Sequence, residues 1–197
     1  TTNDVGDNVP RSGRAYGHVI ARQGSQEIQS ADGMTVTLAS IPKNVNPLER
    51  ERFEAAAKAC GYTTESPEWK KVESKLASRR TTVLRTLIAR RDVVVKDPDQ
   101  NVDVGAGTLD CTFDDRQQIS RALVMGTPQL PAHVSMTDFY IRGPRIDFDV
   151  TTQSAAVPGE GILRFYTKQD LTGQQVKEPV PVVVSWKNSM TFNGRDN

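Results

Sequence analysis

Apolar and polar positions alternate over most of this chain, with a repeat of two residues. That repeat is typical of a strand that buries one face. It predicts strands at 15–22 and 33–40, with a short edge segment near 26–29 between them. After Asp92 it predicts seven further strands, at 92–96, 108–113, 119–125, 133–142, 145–152, 161–168 and 179–186. Because glycine and proline punctuate these segments, we expect antiparallel sheets.

The middle of the chain follows a helical repeat. Asn46 is a good N-cap, Pro47 suits the first helical position and Glu49 completes a capping box, so a helix is predicted over 46–60. A second start signal at Ser66 and Pro67 precedes apolar residues spaced by three, four and seven positions. This spacing predicts a longer helix over 66–91, with its apolar face formed by Trp69, Val72, Leu76, Val83, Leu84, Leu87 and Ile88.

These elements predict an α+β, mainly β protein. Its expected fold is an antiparallel β-sandwich or jelly-roll-like pair of sheets with an inserted helical hairpin. The expected organisation is a polar N-terminal arm (1–14), a single β-rich domain (15–187) with the helical insertion at 46–91, and a C-terminal tail (188–197). The segment VPVVVSW (180–186) would suit a sheet edge to which a neighbouring copy adds a strand.

The composition of the chain argues against several classes of function but does not identify one. The 197 residues carry a formal net charge of +1, so whole-chain charge indicates no partner. No apolar run reaches the ~18 residues of a membrane span, and no secretory signal is expected. Cys60 and Cys111 are too few for a disulfide framework and lack the spacing of a zinc site.

Positive charge concentrates in the second predicted helix. Between Trp69 and Arg91 eight basic residues face one acid, Glu73. On a helix, Lys71, Lys75, Arg79 and Arg85 would lie opposite the apolar face, where they could bind phosphate backbones. The alternative is a solvated face, or one neutralised by aspartates of the strands. The candidate nucleic-acid-binding residues are Lys70, Lys71, Lys75, Arg79, Arg80, Arg85, Arg90 and Arg91.

Other chemistry has weaker support. Asp97, Asp99, Asn101 and Asp103 alternate as in calcium loops but lack the glycine and glutamate of that motif, so a polar turn is favoured and calcium stays open. No cofactor motif or nucleophile motif occurs, and we expect a protein that is not an enzyme. An enzyme acting on an anionic substrate is a further alternative, with Asp147 beside Arg142 or Arg145. The aromatic residues of the strands are expected mostly in the core, and stacking on nucleic-acid bases is the alternative. The residues concerned are Tyr140, Phe148, Phe165, Tyr166 and Trp186.

A mostly β chain with a polar arm, a basic helix and no catalytic motif resembles the coat protein of a small RNA virus. The resemblance implies self-assembly into a virion, with the helix at 67–91 contacting packaged nucleic acid, most naturally RNA, and residence in the host cytoplasm during assembly. The segments GTLDCTFDDR (107–116), FDVTTQ (148–153) and EPVPVVVSWKN (178–188) also resemble the core of tobamovirus-like movement proteins. They imply the alternative of a nucleic-acid-binding or cell-to-cell movement protein that forms no shell. Neither resemblance implies a cofactor, a metal or a membrane partner.

Overall fold

The computed structural model describes residues 11–42, 47–61, 66–67, 69–71, 74, 80–169 and 172–193. Helix α1 (Pro47–Ala59) precedes most of the strands. The strands are β1 (Ser12–Tyr16), β2 (Val19–Gln23), β3 (Gln26–Ser30), β4 (Gly33–Pro42), β5 (Arg80–Asp97), β6 (Val102–Phe113), β7 (Ile119–Met125), β8 (Ala132–Met136), β9 (Phe139–Gly143), β10 (Arg145–Asp149), β11 (Ser154–Pro158), β12 (Gly161–Gln169), β13 (Gln175–Trp186) and β14 (Ser189–Asn193). The prediction of a mainly β, antiparallel protein is therefore confirmed.

The first predicted helix is confirmed by α1, whose capping signals are local. The second, predicted over 66–91, is wrong from residue 80 onward, because Arg80–Asp97 form β5. Among the described residues before β5, positions 67, 69–71 and 74 are helical. Over the 81–91 part of β5 the buried side chains are Val83, Leu87 and Ala89. A step of four residues fits both a helix and the two-residue repeat of a strand, and β-branched residues such as Thr81 and Thr82 favour the strand.

Several predicted strands are divided by tight turns. The segment 15–22 becomes the end of β1 and the start of β2, separated at Gly17, whose φ of +78° suits glycine. The segment 133–142 becomes the hairpin of β8 and β9. The polar stretches expected as an arm and a tail contribute β1 and β14, while residues 1–10 and 194–197 lie outside the described part.

The chain divides into two compact units. Thr1–Arg11 with Leu38–Leu84 form one, and Ser12–Thr37 with Arg85–Asn197 form the other. The single β-rich domain expected at 15–187 stays a prediction. No described helix is both long and apolar enough to cross a bilayer.

The larger unit is organised around the hairpin of β5 and β6. Its register runs from Thr86 opposite Thr112 to Arg90 opposite Thr108, and resumes with Val93 opposite Ala106. The bulge between these stretches contains Arg91 and Asp92, whose φ angles are +59° and +50°. A bulge bends its strand. Two sets of strands therefore pair with the same hairpin, one set on each side of the bend.

The tip arm consists of 93–97 and 102–106 of the hairpin with β2, β3, β8, β9, β12 and β13. The base arm consists of 86–90 and 108–113 of the hairpin with β1, β4, β7, β10, β11 and β14. All strand pairs whose register is described are antiparallel, and short connections join the consecutive ones, such as β8 with β9 and β10 with β11.

The inner faces of the two arms share one apolar core. Val134 and Ile141 of the tip arm and Ile146 and Val157 of the base arm belong to it, and Ile146 and Val157 have no exposed surface. The two arms approach closely at Gly143, where an added Cβ would lie 2.4 Å from Cγ1 of Val157. Burial of branched aliphatic side chains holds the arms together. The finer prediction of a sandwich or jelly roll is not established by this topology.

Candidate functional site: an apolar groove between the two arms

The predicted nucleic-acid-binding residues do not share a helical face. Lys70 and Lys71 are helical, Lys75 and Arg79 lie outside the described residues, and Arg80, Arg85, Arg90 and Arg91 belong to β5. Nη2 of Arg85 lies 2.5 Å from Oδ1 of Asp115, and Nη2 of Arg91 lies 3.6 Å from Oδ1 of Asp32. Both aspartates lie in turns between strands, so two of the eight basic residues have carboxylate partners close by.

The aspartate-rich loop is held by its own hydrogen bonds. Asp97 accepts hydrogen bonds from Nε2 of Gln26 at 2.9 Å and from the backbone N–H of Asp99 at 3.1 Å. These donors, the Gln26 side chain foremost, lower the pKa of Asp97. Asp103 instead contacts Nε2 of His133 at 3.2 Å. The carboxylates thus have separate partners, and no metal-binding group of three acidic, histidine or cysteine residues occurs in the described ranges.

Asp147 and Asp149 lie on the outer face of β10, opposite to its buried Ile146. Asp147 accepts hydrogen bonds from Nε and Nη2 of Arg121 at 3.0 and 2.8 Å and from Nη2 of Arg145 at 3.1 Å. The hydrogen bonds from Arg121 are the main cause that lowers the pKa of Asp147. An ion-paired carboxylate with a lowered pKa is poorly suited to general acid chemistry near neutral pH.

In the described part of the chain, an apolar groove with a volume of about 560 Å³ lies between the two arms. We call it the groove. The tip arm contributes Phe139, Ile141, Leu163 and Phe165, and the base arm contributes Phe148, Val150, Ala155, Met190 and Phe192. Asp149, Gln153 and Ser154 border the groove near one turn, although its lining surface is almost wholly apolar.

Strand register explains why these side chains meet. On the tip arm, Leu163 lies opposite Ile141 and Phe165 lies opposite Phe139. Residues directly opposite one another in a sheet share a face. Both pairs therefore project from the inner face of β9 and β12, with the fully buried Ile141 on the core side of the groove.

The base arm alternates large and small side chains across its strands. Phe148 lies opposite Ala155 on β11, and Ala155 lies opposite Phe192 on β14. The small Ala155 between two phenylalanines leaves space that no neighbouring side chain fills. The groove exists because the side chains in this row differ in size. The rows deeper in the core are filled by Ile146 and Val157.

The pattern of the sequence did not predict the groove, although two of the five candidate aromatic residues line it. Phe148 and Phe165 line it, as inward positions of alternating strands. Tyr140 lies on the outer face of the tip arm, stacked on His133 with ring centroids 6.4 Å apart and with the guanidinium carbon of Arg164 5.7 Å from its centroid. The sequence does show that aromatic residues occupy inward positions of the strands. It does not show which strands pair, and that pairing forms the groove.

Comparisons with known proteins add little to this geometry. No family model and no curated protein matches the chain. A matching solved structure is LptH of Pseudomonas aeruginosa. LptH is described as an LptA-homologous periplasmic component of a lipopolysaccharide transport device. Its identity is 17%, the match covers 51% of this chain and 82% of that chain, and the TM-score is 0.33. A likeness of this size assigns neither a fold nor a function to the present chain.

The prediction of a viral coat protein is wrong, and so are the movement-protein alternative and the location in a virion. The matched structure is a bacterial periplasmic protein, and no viral family was found. The basic helix that was to contact a genome is also replaced over 80–91 by β5. Self-association, nucleic acid as a partner, the eight basic residues as a site and the absence of enzyme activity are not tested and stay predictions.

Proposed function

We propose that this protein binds the alkyl chain of an amphiphilic molecule in the groove. The observation that carries the proposal is a volume of about 560 Å³ lined almost wholly by phenylalanine and aliphatic side chains. This volume lies within the usual range of ligand pockets, which are mostly apolar with a few polar groups that orient the ligand.

The exposure of the lining supports an occupant. Phe192 and Val150 are each 55% exposed although they belong to an inward-facing apolar surface. Covering apolar surface is favourable by about 25 cal/mol per Å². An alkyl chain would cover these side chains without needing hydrogen-bond partners, which the tip-arm wall does not offer.

A turn with polar residues at the border of the groove suggests where the polar end of the amphiphile would lie. Asp149, Gln153 and Ser154 border the turn that joins β10 to β11. Oδ1 of Asp149 accepts the backbone N–H of Thr152 at 2.9 Å, which fixes this turn and is the main cause that lowers the pKa of Asp149. The alkyl chain would then lie between the phenylalanines, with its polar end near this turn.

The test uses the neutral fluorescent probe N-phenyl-1-naphthylamine, displaced by fatty alcohols of increasing length. Ala155→Trp should fill the groove and abolish probe binding. Ala156→Trp is the matched control, because Ala156 is the next residue on β11 and faces the opposite side of the sheet. Thermal melting of both variants shows whether the fold is kept.

Equal probe binding by the Ala155→Trp and Ala156→Trp variants would contradict the proposal. If Ala155→Trp does not fold, Phe192→Ser serves instead, since Phe192 is half-exposed and its loss should weaken probe binding without unfolding the chain. Unchanged affinity in that variant would equally count against the groove.

Self-association is a second proposal, carried by the edge of the tip arm. β13 is the last strand on its side of the sheet in the described residues, and Val183 on it is 58% exposed. An exposed apolar edge strand is a template for pairing with another chain. Pro179 and Pro181 lack backbone N–H groups, so pairing with a second copy would fall on 182–186.

Light scattering after size exclusion tests the edge. The wild-type mass should rise with concentration, and Val183→Lys should return the protein to the monomer. Val150→Lys is the control, since Val150 is equally exposed but lies away from β13. A wild type that stays monomeric at high concentration would refute the proposal.

A further inference from the structure

A second cavity lies on the outer face of the base arm, where β1, β4 and the 86–90 stretch of β5 are adjacent. Its volume is about 550 Å³. We call it the cationic recess. Its wall includes Arg14, Tyr16, Asp32, Thr35, Ile88 and Arg90.

Strand register places these side chains on one face. Met34, Leu87 and Ala89 are buried in the core, so their neighbours Thr35, Ile88 and Arg90 project from the opposite face. Arg14 lies opposite Thr35, and Tyr16 lies opposite Gly33. Because opposite residues share a face, Arg14 and Tyr16 project on the same outer side.

Gly33 forms the floor of the recess between Tyr16 and the strand of Arg90. An added Cβ would lie 2.5 Å from the carbonyl oxygen of Ala15, so β1 approaches this backbone closely, and the φ of +128° also favours glycine. The floor is fixed by the buried Ser30, whose hydroxyl accepts the backbone N–H of Arg90 at 3.1 Å and lies 2.8 Å from the carbonyl oxygen of Gly33. The backbone around the recess is therefore held by internal hydrogen bonds.

The charge of the recess is positive and largely uncompensated. The side chains of Arg14 and Arg90 make no ion pair within the described residues, whereas Asp32 is 3.6 Å from Arg91. Arg14 and Arg90 are on strands two positions apart, so the strand spacing contributes about 10 Å to the distance between their backbones. Two long guanidinium side chains at that separation can converge on one anion between them.

We propose that the cationic recess binds a phosphate group carried by a small molecule or a lipid headgroup. Arg14 and Arg90 supply charge-assisted hydrogen bonds, for which guanidinium geometry suits phosphate. The phenol of Tyr16, whose residue is 79% exposed, supplies a further donor at the rim. This site is independent of the groove, and either proposal can fail without the other.

The first measurement is calorimetric binding of inorganic pyrophosphate to the full chain at low ionic strength. The double variant Arg14→Gln/Arg90→Gln should weaken binding by about tenfold or more, because each lost contact is a charge-assisted hydrogen bond. The control Arg116→Gln/Arg142→Gln removes the same charge from exposed positions elsewhere. It should weaken binding by less than about twofold, since only screened long-range attraction is lost.

A second variant guards against misfolding. Ile88→Glu places a carboxylate on the wall of the recess and should abolish pyrophosphate binding while circular dichroism stays unchanged. Absence of wild-type binding, or an equal loss in the control pair, would overturn the site.

Binding of three further ligands distinguishes the possible sources of the phosphate group. Glycerol 3-phosphate binding that depends on Arg14 and Arg90 supports a soluble ligand. Binding to phosphatidic acid vesicles, but not to phosphatidylcholine vesicles, with the same dependence supports a lipid headgroup. Binding of single-stranded RNA without binding of pyrophosphate would overturn the proposal in favour of a polyanion surface.

Discussion

The packed core and the groove lie between the same two arms, yet only the core excludes solvent. In the packed core Ile146 lies opposite Val124, and with Val157 it is fully enclosed. In the groove Phe148 and Phe192 flank the smaller Ala155. Both regions are apolar, so hydrophobicity alone does not distinguish them. The difference is whether the sizes of facing side chains match across the arms.

This comparison shows that a ligand cavity can arise from an ordinary strand pattern. Protein interiors are close-packed, and a missing side-chain volume is not recovered by relaxation. Deep in the core, branched residues and the close approach at Gly143 close the gap. At the groove, rigid aromatic rings hold it open. Substitutions that change volume at the two places should therefore have opposite effects.

The largest expected effect is on the packed core. Ile146→Ala removes a side chain with no exposed surface and should lower the free energy of unfolding by about 2–5 kcal/mol. Ile119→Ala, at a 42% exposed position of the same arm, should cost less than about 1 kcal/mol. Urea denaturation measures both, and similar losses would show that the core is not closed at Ile146.

The next effect contrasts two enlargements. Ala132→Leu, at a fully buried position, should destabilise the fold by about 1–3 kcal/mol through overpacking. Ala155→Leu should leave stability unchanged or raise it by about 0.5–2 kcal/mol, because the groove has room for the added atoms. Chemical denaturation of the pair decides the matter, and destabilisation by both would mean that the groove is not empty space.

A smaller effect concerns Asp147, which lies on β10 between Ile146 of the packed core and Phe148 of the groove. Its pKa is lowered from the ordinary 3.8, so the ion pair with Arg121 stabilises the fold above that pH and is lost as pH falls through the lower folded value. Asp147→Asn should cost about 0.2–1 kcal/mol at neutral pH. It should also flatten the fall in melting temperature below pH 4. If the melting temperature of the variant falls as steeply as that of the wild type, other carboxylates cause the acid destabilisation.

The smallest effect changes reactivity and leaves stability untouched. Burial raises the pKa of the Cys111 thiol to about 12, whereas Cys60 is exposed. One thiol per chain should react with Ellman's reagent under native conditions, and Cys60→Ser should remove that fast phase. Thiolate is the reacting form, so Cys111 should react only on unfolding. Two fast thiols would show that solvent reaches the core beside Leu109 and Val124.

The sequence by itself predicted features that depend on neighbouring residues. The caps at Asn46 and Pro47 located α1, and the two-residue repeat after Asp92 located most of the later strands. It failed at 80–91 because a spacing of four residues suits either a helix or a strand. The pairing of that segment with β6 decided the outcome, and no local signal contains that pairing.

Only the tertiary structure decided the two candidate sites. The groove needs Phe148, Ala155 and Phe192 in one row, although four connections separate β10 from β14 along the chain and β12 and β13 lie between Ala155 and Phe192. The cationic recess needs Arg14 on β1 and Arg90 on β5 to project from the same face, with β4 lying between these two strands. Strand order and register create both, because side chains distant in sequence meet only when their strands pair. The alternation of apolar positions specified which face of each strand is buried, and the pairing specified what that face meets.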